Sequence, residues 1–88
     1  MRFTWDQRKA ASNLAKHGVR FEEASTVFGD PLAVIVVDAL HHERAIAIGM
    51  SARSRVLYVV HVETRETIRI ISARRATSHE RRGYEEAF

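Results

Sequence analysis

The sequence contains no cysteine, only one proline and only four glycines. The absence of cysteine excludes a disulfide framework and any metal site with thiolate ligands, and it fits a reducing cytoplasmic environment. Long apolar runs are absent too, since the longest, 32–37, is far too short to cross a bilayer. Charges recur at Arg2, Asp6, Arg8 and Lys9, which leaves no apolar segment typical of a signal peptide. We therefore predict a cytoplasmic protein that does not enter the membrane.

A chain of 88 residues is long enough for one domain with a thin hydrophobic core. Its apolar fraction of 45% is too high for intrinsic disorder, and no repeat or linker divides it, so we predict a single domain over 1–88. This size disfavours a deep pocket for a large cofactor, and we expect no cofactor.

Positive charge is concentrated in the second half of the chain, almost entirely as arginine. Residues 1–43 carry a net charge of −1, whereas residues 44–88 carry nine arginines and five glutamates, a net charge of +4. The guanidinium group is a permanently charged planar fork suited to bidentate contacts with phosphate. The asymmetry favours a nucleic-acid partner, although a genomic bias towards arginine would give the same count.

Hydrophobic periodicity predicts two helices in the first third of the chain. Thr4 and Gln7 have the spacing of a capping box, and Gly18 is typical of the residue after a helix end. A second helix begins near Phe21 and ends at the Gly-Asp-Pro sequence of 29–31.

The remainder predicts four strands and a last helix. Thr77 and Glu80 form a second capping box, which opens that helix. Short connections between successive strands indicate antiparallel pairing. The predicted fold is therefore α+β, of order ααββββα, with a four-stranded antiparallel sheet and the helices on one face. The strands are expected at 33–38, 44–50, 55–63 and 67–72.

The loop between the last two strands decides which side chains share a face. A loop of three or five residues places Val60 and Val62 beside Ile68 and Ile70, which makes one face wholly apolar. A two-residue loop instead places the valines beside Arg69. Burial favours the odd-numbered loop, and we predict it.

That register puts His61 directly opposite Arg69 on an open sheet face, with Glu63 beside them. RNA cleavage without a metal requires a base for the ribose 2′-hydroxyl, an acid for the leaving 5′-oxygen and cations for the phosphorane. Histidine and glutamate supply the first two and arginine the third. The alternative is an ordinary strand histidine next to a cross-strand ion pair of Glu63 and Arg69. No third ligand accompanies His61 and Glu63 at a diagnostic spacing, so we predict no metal site.

The basic residues around the start of the last helix are candidates for RNA binding, because each phosphate contact adds affinity. Tyr84 is a candidate for stacking on a base. The alternative is a solvated helix face with Arg81 and Glu85 at the spacing of an ion pair, and a tyrosine packed on the core. The arginines concerned are Arg74, Arg75, Arg81 and Arg82.

Motifs along nearly the whole chain resemble the BrnT family of type II toxins. The most specific are the Lys-His-Gly-Val sequence at 16–19 and the Ile-Arg-Ile-Ile-Ser-Ala-Arg sequence at 68–74. The resemblance also covers Phe-Thr-Trp-Asp at 3–6, Asp-Pro at 30–31 and Glu-Arg-Arg at 80–82.

The resemblance implies a RelE-like fold and a metal-independent endoribonuclease that blocks translation. It implies a cognate BrnA-type antitoxin in a hetero-oligomer, which neutralises the toxin and represses their operon, so that DNA is contacted only through the antitoxin. His61, Arg69 and Arg74 match positions of the family pattern and are carried over as site residues, with Glu63 and Tyr84 added.

The predicted open face also carries Leu57, Val59 and Ile71, which are too apolar to remain exposed. We therefore predict that an antitoxin segment covers them. Two other functions remain open at this stage, a non-catalytic module that binds RNA or the ribosome, and a structural subunit that only binds its partner.

Overall fold

The computed structural model describes residues 1–87, which form five strands and three helices. The strands are β1 (Arg2–Thr4), β2 (Val34–Val37), β3 (Ala45–Met50), β4 (Val56–Glu63) and β5 (Thr67–Arg75). The helices are α1 (Gln7–His17), α2 (Phe21–Ser25) and α3 (Ser78–Glu85), and a 3-10 turn at Thr26–Gly29 follows α2.

The five strands form one mixed sheet in the order β1-β5-β4-β3-β2. Strand β1 runs parallel to β5, and the other neighbours are antiparallel. The predicted α+β class is confirmed, but the four-stranded antiparallel sheet is wrong because β1 was missed. A strand of three residues is too short to show the alternation that identifies strands in a sequence.

The start of α1 also differs from prediction. Thr4 belongs to β1, and the helix is capped by Asp6, whose Oδ1 accepts from the N–H groups of Arg8 and Lys9 at 2.8 and 3.1 Å. The predicted capping box of Thr4 and Gln7 is therefore wrong. The predicted end is confirmed, since Gly18 follows α1 with a left-handed φ of 70°.

The helices lie on both faces of the sheet and not on one. Helices α1 and α2 cover the face that bears Leu57, Val59 and Ile70, and the core forms there. Helix α3 lies against the opposite face at one end, where its residues share a pocket with Val34 and Ile48. The rest of this second face, which we call the open face, is not covered by any helix within residues 1–87.

The hairpin between β4 and β5 has a two-residue tip. The N–H of Thr64 donates to the carbonyl of Thr67 at 2.9 Å, which leaves Arg65 and Glu66 at the turn. The predicted odd-numbered loop is wrong. Val62 consequently pairs with Arg69 on the open face, the arrangement that the sequence argument rejected.

A β-bulge changes the facing of side chains halfway along β5. Val60 pairs with Ser72, whereas the next residue, His61, pairs with Ile70, so Ile71 is the extra residue. Arg69 and Arg74 are five positions apart and would point to opposite faces of a regular strand. The bulge shifts the alternation by one, and both arginines therefore lie on the open face.

Asn13 of α1 holds β5 immediately after this bulge. Its Nδ2 donates to the carbonyl of Ala73 at 2.8 Å, and its Oδ1 accepts from the N–H of Ala73 at 3.0 Å. The same Nδ2 donates to the carbonyl of Val19 at 2.9 Å. β1 pairs only with residues 67–69 of β5 and does not reach Ala73. The buried amide of Asn13 therefore supplies the hydrogen-bond partners that the backbone of Ala73 would otherwise lack.

We predict that Asn13→Ala destabilises the fold. It leaves one N–H and two carbonyls buried without their partner, and each such group costs about 1–3 kcal/mol. We expect urea denaturation to show a loss of about 3 kcal/mol or more in the free energy of unfolding. Ser12→Ala, an exposed change on the same helix, should stay within about 0.5 kcal/mol. Equal effects of the two variants would contradict the role given to Asn13.

Candidate active site on the open sheet face

Arg74 is fixed on the open face by Tyr58 and Glu80, and its Nη1 also donates to the carbonyl of Arg75 at 3.2 Å. Its guanidinium carbon lies 3.9 Å from the ring centroid of Tyr58, the residue opposite it in the β4–β5 pairing. Its two terminal nitrogens donate to the two carboxylate oxygens of Glu80 at 2.8 and 2.9 Å. The guanidinium is therefore oriented by stacking and by a bidentate ion pair before any ligand binds.

The ion pair is only partly exposed, 35% for the side chain of Arg74 and 20% for that of Glu80. The hydrogen bonds between them raise the pKa of Arg74 and lower the pKa of Glu80. Both groups therefore stay charged at neutral pH. Glu80 acts as an anchor for the guanidinium and is poorly suited to donate a proton.

The start of α3 is tied to this ion pair through the predicted capping box, which is confirmed. The N–H of Glu80 donates to Oγ1 of Thr77 at 3.1 Å, and the N–H of Thr77 donates to Oε1 of Glu80 at 2.9 Å. Oε1 of Glu80 thus accepts from both the helix cap and Arg74. The position of Arg74 is coupled to the docking of α3.

Arg69 lies on the same face but at the other end of β5, five residues from Arg74, or roughly 15 Å along an extended strand. It is exposed. It stands near the start of α1, where the N–H groups of Lys9 and Arg8, and then the charge of Arg69, lower the pKa of Asp6. The two arginines therefore lie at different ends of β5 on one face of the sheet.

The other candidate RNA-binding residues are not gathered around Arg74. Arg75 pairs with Leu57, and the strand alternation directs it away from the open face. Arg81 and Arg82 are exposed on α3. The ring of Tyr84 is buried, as predicted by the alternative in which this tyrosine packs on the core. Its hydroxyl donates to Oδ2 of Asp30 at 2.6 Å, which raises the pKa of Tyr84 to about 12.

His61 does not stand opposite Arg69, and that prediction is wrong. The two-residue turn and the bulge pair it with Ile70 on the core face, where its exposure is 0%. Its ring meets the ring of Phe28 edge to face at a centroid distance of 4.8 Å. Its Nδ1 lies 3.4 Å from the carbonyl oxygen of Val59, and its Nε2 has no hydrogen-bond partner in the part of the chain described.

Glu63 pairs with Ile68 near the β4–β5 turn and is exposed. It therefore lies at the opposite end of the hairpin from Arg74. The predicted cluster of His61, Glu63 and Arg69 on one face does not form, because the three side chains lie in the core, at the turn and on the open face.

Two of the three predicted antitoxin-contacting residues are also misplaced. Leu57 and Val59 have exposures of 0% and belong to the core under α1 and α2, so the prediction that they lie on an open face is wrong. Ile71 is partly exposed at the bulge.

Sequence reasoning missed Tyr58 as a partner of Arg74, since only the correct register brings the two together. It also missed a shallow cleft of about 190 Å³ between α1 and β5. Three basic side chains of α1 line the cleft, Lys9 and, two helical turns later, Lys16 and His17. This spacing places them on one side of a helix and could have been read from the sequence. The residues that line the cleft are Lys9, Ser12, Asn13, Lys16, His17, Ile71 and Ser72.

Within residues 1–87, no three His, Cys, Asp or Glu side chains converge as a metal-binding group. None of the helices described is long and apolar enough to cross a membrane.

These features define a small α+β domain that presents one oriented arginine, Arg74, and one exposed arginine, Arg69, on an open sheet, with no enclosed pocket around them within residues 1–87. This arrangement suits a phosphate-bearing polymer better than a small ligand. Comparison with known proteins identifies the family to which the domain belongs. A family model described as "Ribonuclease toxin, BrnT, of type II toxin-antitoxin system" matches residues 5–80.

Among solved structures, the chain is similar to the 1.1 Å crystal structure of the Brucella abortus ribonuclease toxin BrnT. The TM-score is 0.73 and the identity 26%, over 89% of this chain and 99% of that chain. A search of curated proteins found no match. The chain belongs to the BrnT family of ribonuclease toxins of type II toxin–antitoxin systems, as the sequence motifs predicted. Its class of substrate is therefore RNA, and its protein partner is an antitoxin.

We predict that His61 makes stability depend on pH. Burial lowers the pKa of His61 from 6.5, so the unfolded chain binds the proton more tightly than the folded one. The stability from neutral His61 is fully present above the unfolded pKa and is lost as the pH falls towards the folded pKa. The free energy of unfolding should therefore drop as the pH falls below about 7.

Denaturation at several pH values tests this prediction. The variant His61→Leu should lose much of the pH dependence, whereas His79→Gln, which alters an exposed histidine, should retain that of the wild type. An unchanged slope in His61→Leu would show that another group is responsible.

Proposed function

We propose that this protein is an endoribonuclease that cleaves RNA without a metal ion and so inhibits translation in the cytoplasm. One observation carries the proposal, the guanidinium of Arg74 held by Tyr58 and Glu80 on an open surface. Cleavage by the ribose 2′-hydroxyl passes through a phosphorane with additional negative charge. Donors that are oriented before the reaction stabilise such charge most effectively.

In this proposal Arg74 contacts the scissile phosphate, and Arg69 contacts a phosphate further along the strand. Their separation of roughly 15 Å along the strand is suited to an extended RNA across the open face. Lys9 and Lys16 border the cleft beside β5 and continue the positive surface at that edge. Arg75, Arg81 and Arg82 add contacts that depend on salt and not on base sequence.

The proton transfers need groups that the RNA can reach. Direct transfer by His61 requires its contact with Phe28 to open, so we assign His61 a structural role in the closed protein. The exposed carboxylate of Glu63 is available only to nucleotides near the β4–β5 turn. Tyr58 lies beneath the guanidinium of Arg74, and we propose its hydroxyl as an acid–base candidate at the scissile phosphate.

We predict that Arg74→Lys lowers the rate of RNA cleavage by about a hundredfold, because lysine keeps the charge but loses the fork that pairs with Glu80. The measurement is cleavage of an RNA substrate by the purified protein in the presence of EDTA. Arg53→Lys, an exposed change in the loop between β3 and β4, should leave the rate unchanged. Loss of wild-type cleavage in EDTA would overturn metal independence, and full activity of Arg74→Lys would overturn the role of Arg74.

We further propose that the antitoxin is a BrnA-type protein that binds DNA and represses the operon together with this toxin. The open face carries half-buried apolar side chains, Ile46, Val60 and Val62, beside the arginines. An antitoxin segment on this face would bury the apolar side chains and block Arg69 and Arg74 at once.

We predict that Val60→Asp weakens antitoxin binding by about tenfold or more, because it places a carboxylate in the apolar part of that contact. Titration calorimetry with the purified antitoxin measures the effect. Ala52→Asp, in the exposed β3–β4 loop, should bind as the wild type does. Unaltered affinity of Val60→Asp would place the antitoxin elsewhere.

A further inference from the structure

An apolar cleft lies on the open face between α3 and the sheet, next to the site of Arg74. Its volume is about 290 Å³. Half-buried side chains of β2 and β3, Val34 and Ile48, form its floor. One side of α3, with His79, Glu80 and Gly83, forms its wall. We call this space the α3 cleft.

The register of the sheet places the floor of the cleft in line with Arg74. Each of four residues pairs with the next across the open face, in the order Arg74, Tyr58, Ile48 and Val34. Neighbouring strands lie about 4.8 Å apart, which puts the backbone of Ile48 roughly 10 Å from that of Arg74. The guanidinium of Arg74 spans the first part of this distance, since it lies over the ring of Tyr58. The cleft therefore begins beside the Arg74–Tyr58 pair.

Glu80 belongs to both places. Its carboxylate holds the guanidinium of Arg74 through two hydrogen bonds, and the same residue lines the cleft. The ion pair neutralises this carboxylate, so the wall of the cleft does not repel an anion bound at Arg74. A group bound at Arg74 and a group bound in the cleft are consequently neighbours.

The size and the lining of the cleft suit a nucleobase. A cavity of about 150 Å³ is large enough to bind benzene, so a cleft of about 290 Å³ accommodates a pyrimidine or a purine. His79 is exposed at the wall, and bases stack on imidazole rings in RNA complexes. Gly83, one helical turn further along, leaves space free, because a Cβ there would meet no atom within 4 Å.

An RNA strand brings a base to this place whenever one of its phosphates binds Arg74. Each phosphate of a polynucleotide is joined through one ribose to a base, so an anion site with an adjacent apolar cleft matches the repeating unit of RNA. An apolar side chain of an antitoxin has no such fixed link to an anion. The substrate class of the family is RNA.

We propose that the α3 cleft binds the base of a nucleotide next to the phosphate held by Arg74, with His79 stacked on that base and Ile48 beneath it. The inference rests on the proposed function, in which Arg74 contacts the scissile phosphate. It makes α3 the element that chooses where a strand is cut. It also requires single-stranded RNA, because a base inside a duplex is not free to leave its stack.

Short single-stranded RNAs in which one nucleotide at a time lacks its base test the proposal with the purified protein. Removal of the base that enters the cleft should lower kcat/KM for cleavage about tenfold, because the stacking contact is lost. The loss should be confined to a nucleotide beside the cleaved bond. Removal of bases further away should have little effect.

Gly83→Leu fills the cleft and gives the matched variant. It should cleave the intact RNA about tenfold more slowly than the wild type and should no longer distinguish intact from abasic RNA. Gly83→Ala should behave as the wild type, since one methyl group leaves most of the space free. Both replacements favour the helix, so their comparison isolates the filling of the cleft. If leucine only displaced α3, all RNAs would be cleaved more slowly by one factor and the abasic loss would persist, which would overturn the proposal.

Variants of His79 separate stacking from proton transfer. His79→Ala should reduce the abasic loss, and His79→Phe should restore it, because phenylalanine stacks on a base but transfers no proton. Failure of phenylalanine to restore the loss would overturn the role given to His79.

Equilibrium binding of the same RNAs, followed by fluorescence anisotropy, keeps this inference distinguishable from the proposed function. If the wild type did not cleave RNA in EDTA, the proposed function would fail. An abasic loss of binding that disappears in Gly83→Leu would still support the cleft. A wild-type protein that neither cleaves nor binds intact RNA better than abasic RNA would overturn the inference. So would a Gly83→Leu variant with weaker antitoxin binding and an unchanged abasic loss, since the cleft would then belong to the antitoxin contact.

Discussion

The structure depends on a short span of β5. Ile71 forms the bulge there, and two residues later the side chain of Asn13 makes two hydrogen bonds to the backbone of Ala73. The bulge alone would weaken the sheet, because it interrupts the ladder beside an edge that β1 does not reach. The amide of Asn13 supplies the missing donor and acceptor and joins α1 to the sheet at the same point. The facing of every side chain after the bulge, Arg74 included, follows from this local arrangement.

The site around Arg74 illustrates how a thin domain can orient a charged side chain without a pocket. Burial is limited, so rigidity comes from partners on separate elements, the ring of Tyr58 in β4 and the carboxylate of Glu80 in α3. Each partner also has a structural task, one in the sheet and one in the helix cap. A surface site of this kind leaves room for a long substrate and for a protein inhibitor that competes with it.

The sequence predicted local features well and relations between strands poorly. The capping box of Thr77 and the glycine after α1 depend on neighbouring residues, and both predictions are confirmed. The facing of β4 depends on distant partners. Val56, Tyr58, Val60 and Val62 form the more apolar set, yet the helices cover the set that contains His61. Neither the bulge nor the three-residue β1 leaves a pattern that alternation could reveal. The family was still identifiable, because its motifs do not depend on the register.

Glu80 has a further consequence as a shared ligand. Its carboxylate serves both the guanidinium of Arg74 and the backbone at the start of α3, so the two equilibria are thermodynamically linked. An anion that binds Arg74 while Glu80 stays in place uses N–H groups that the ion pair leaves over, and it meets a guanidinium already oriented by the helix. By reciprocity, a contact that stabilises the docking of α3 also keeps Arg74 in that orientation, whereas loss of the helix releases it. The helix cap and the orientation of the arginine therefore form one unit.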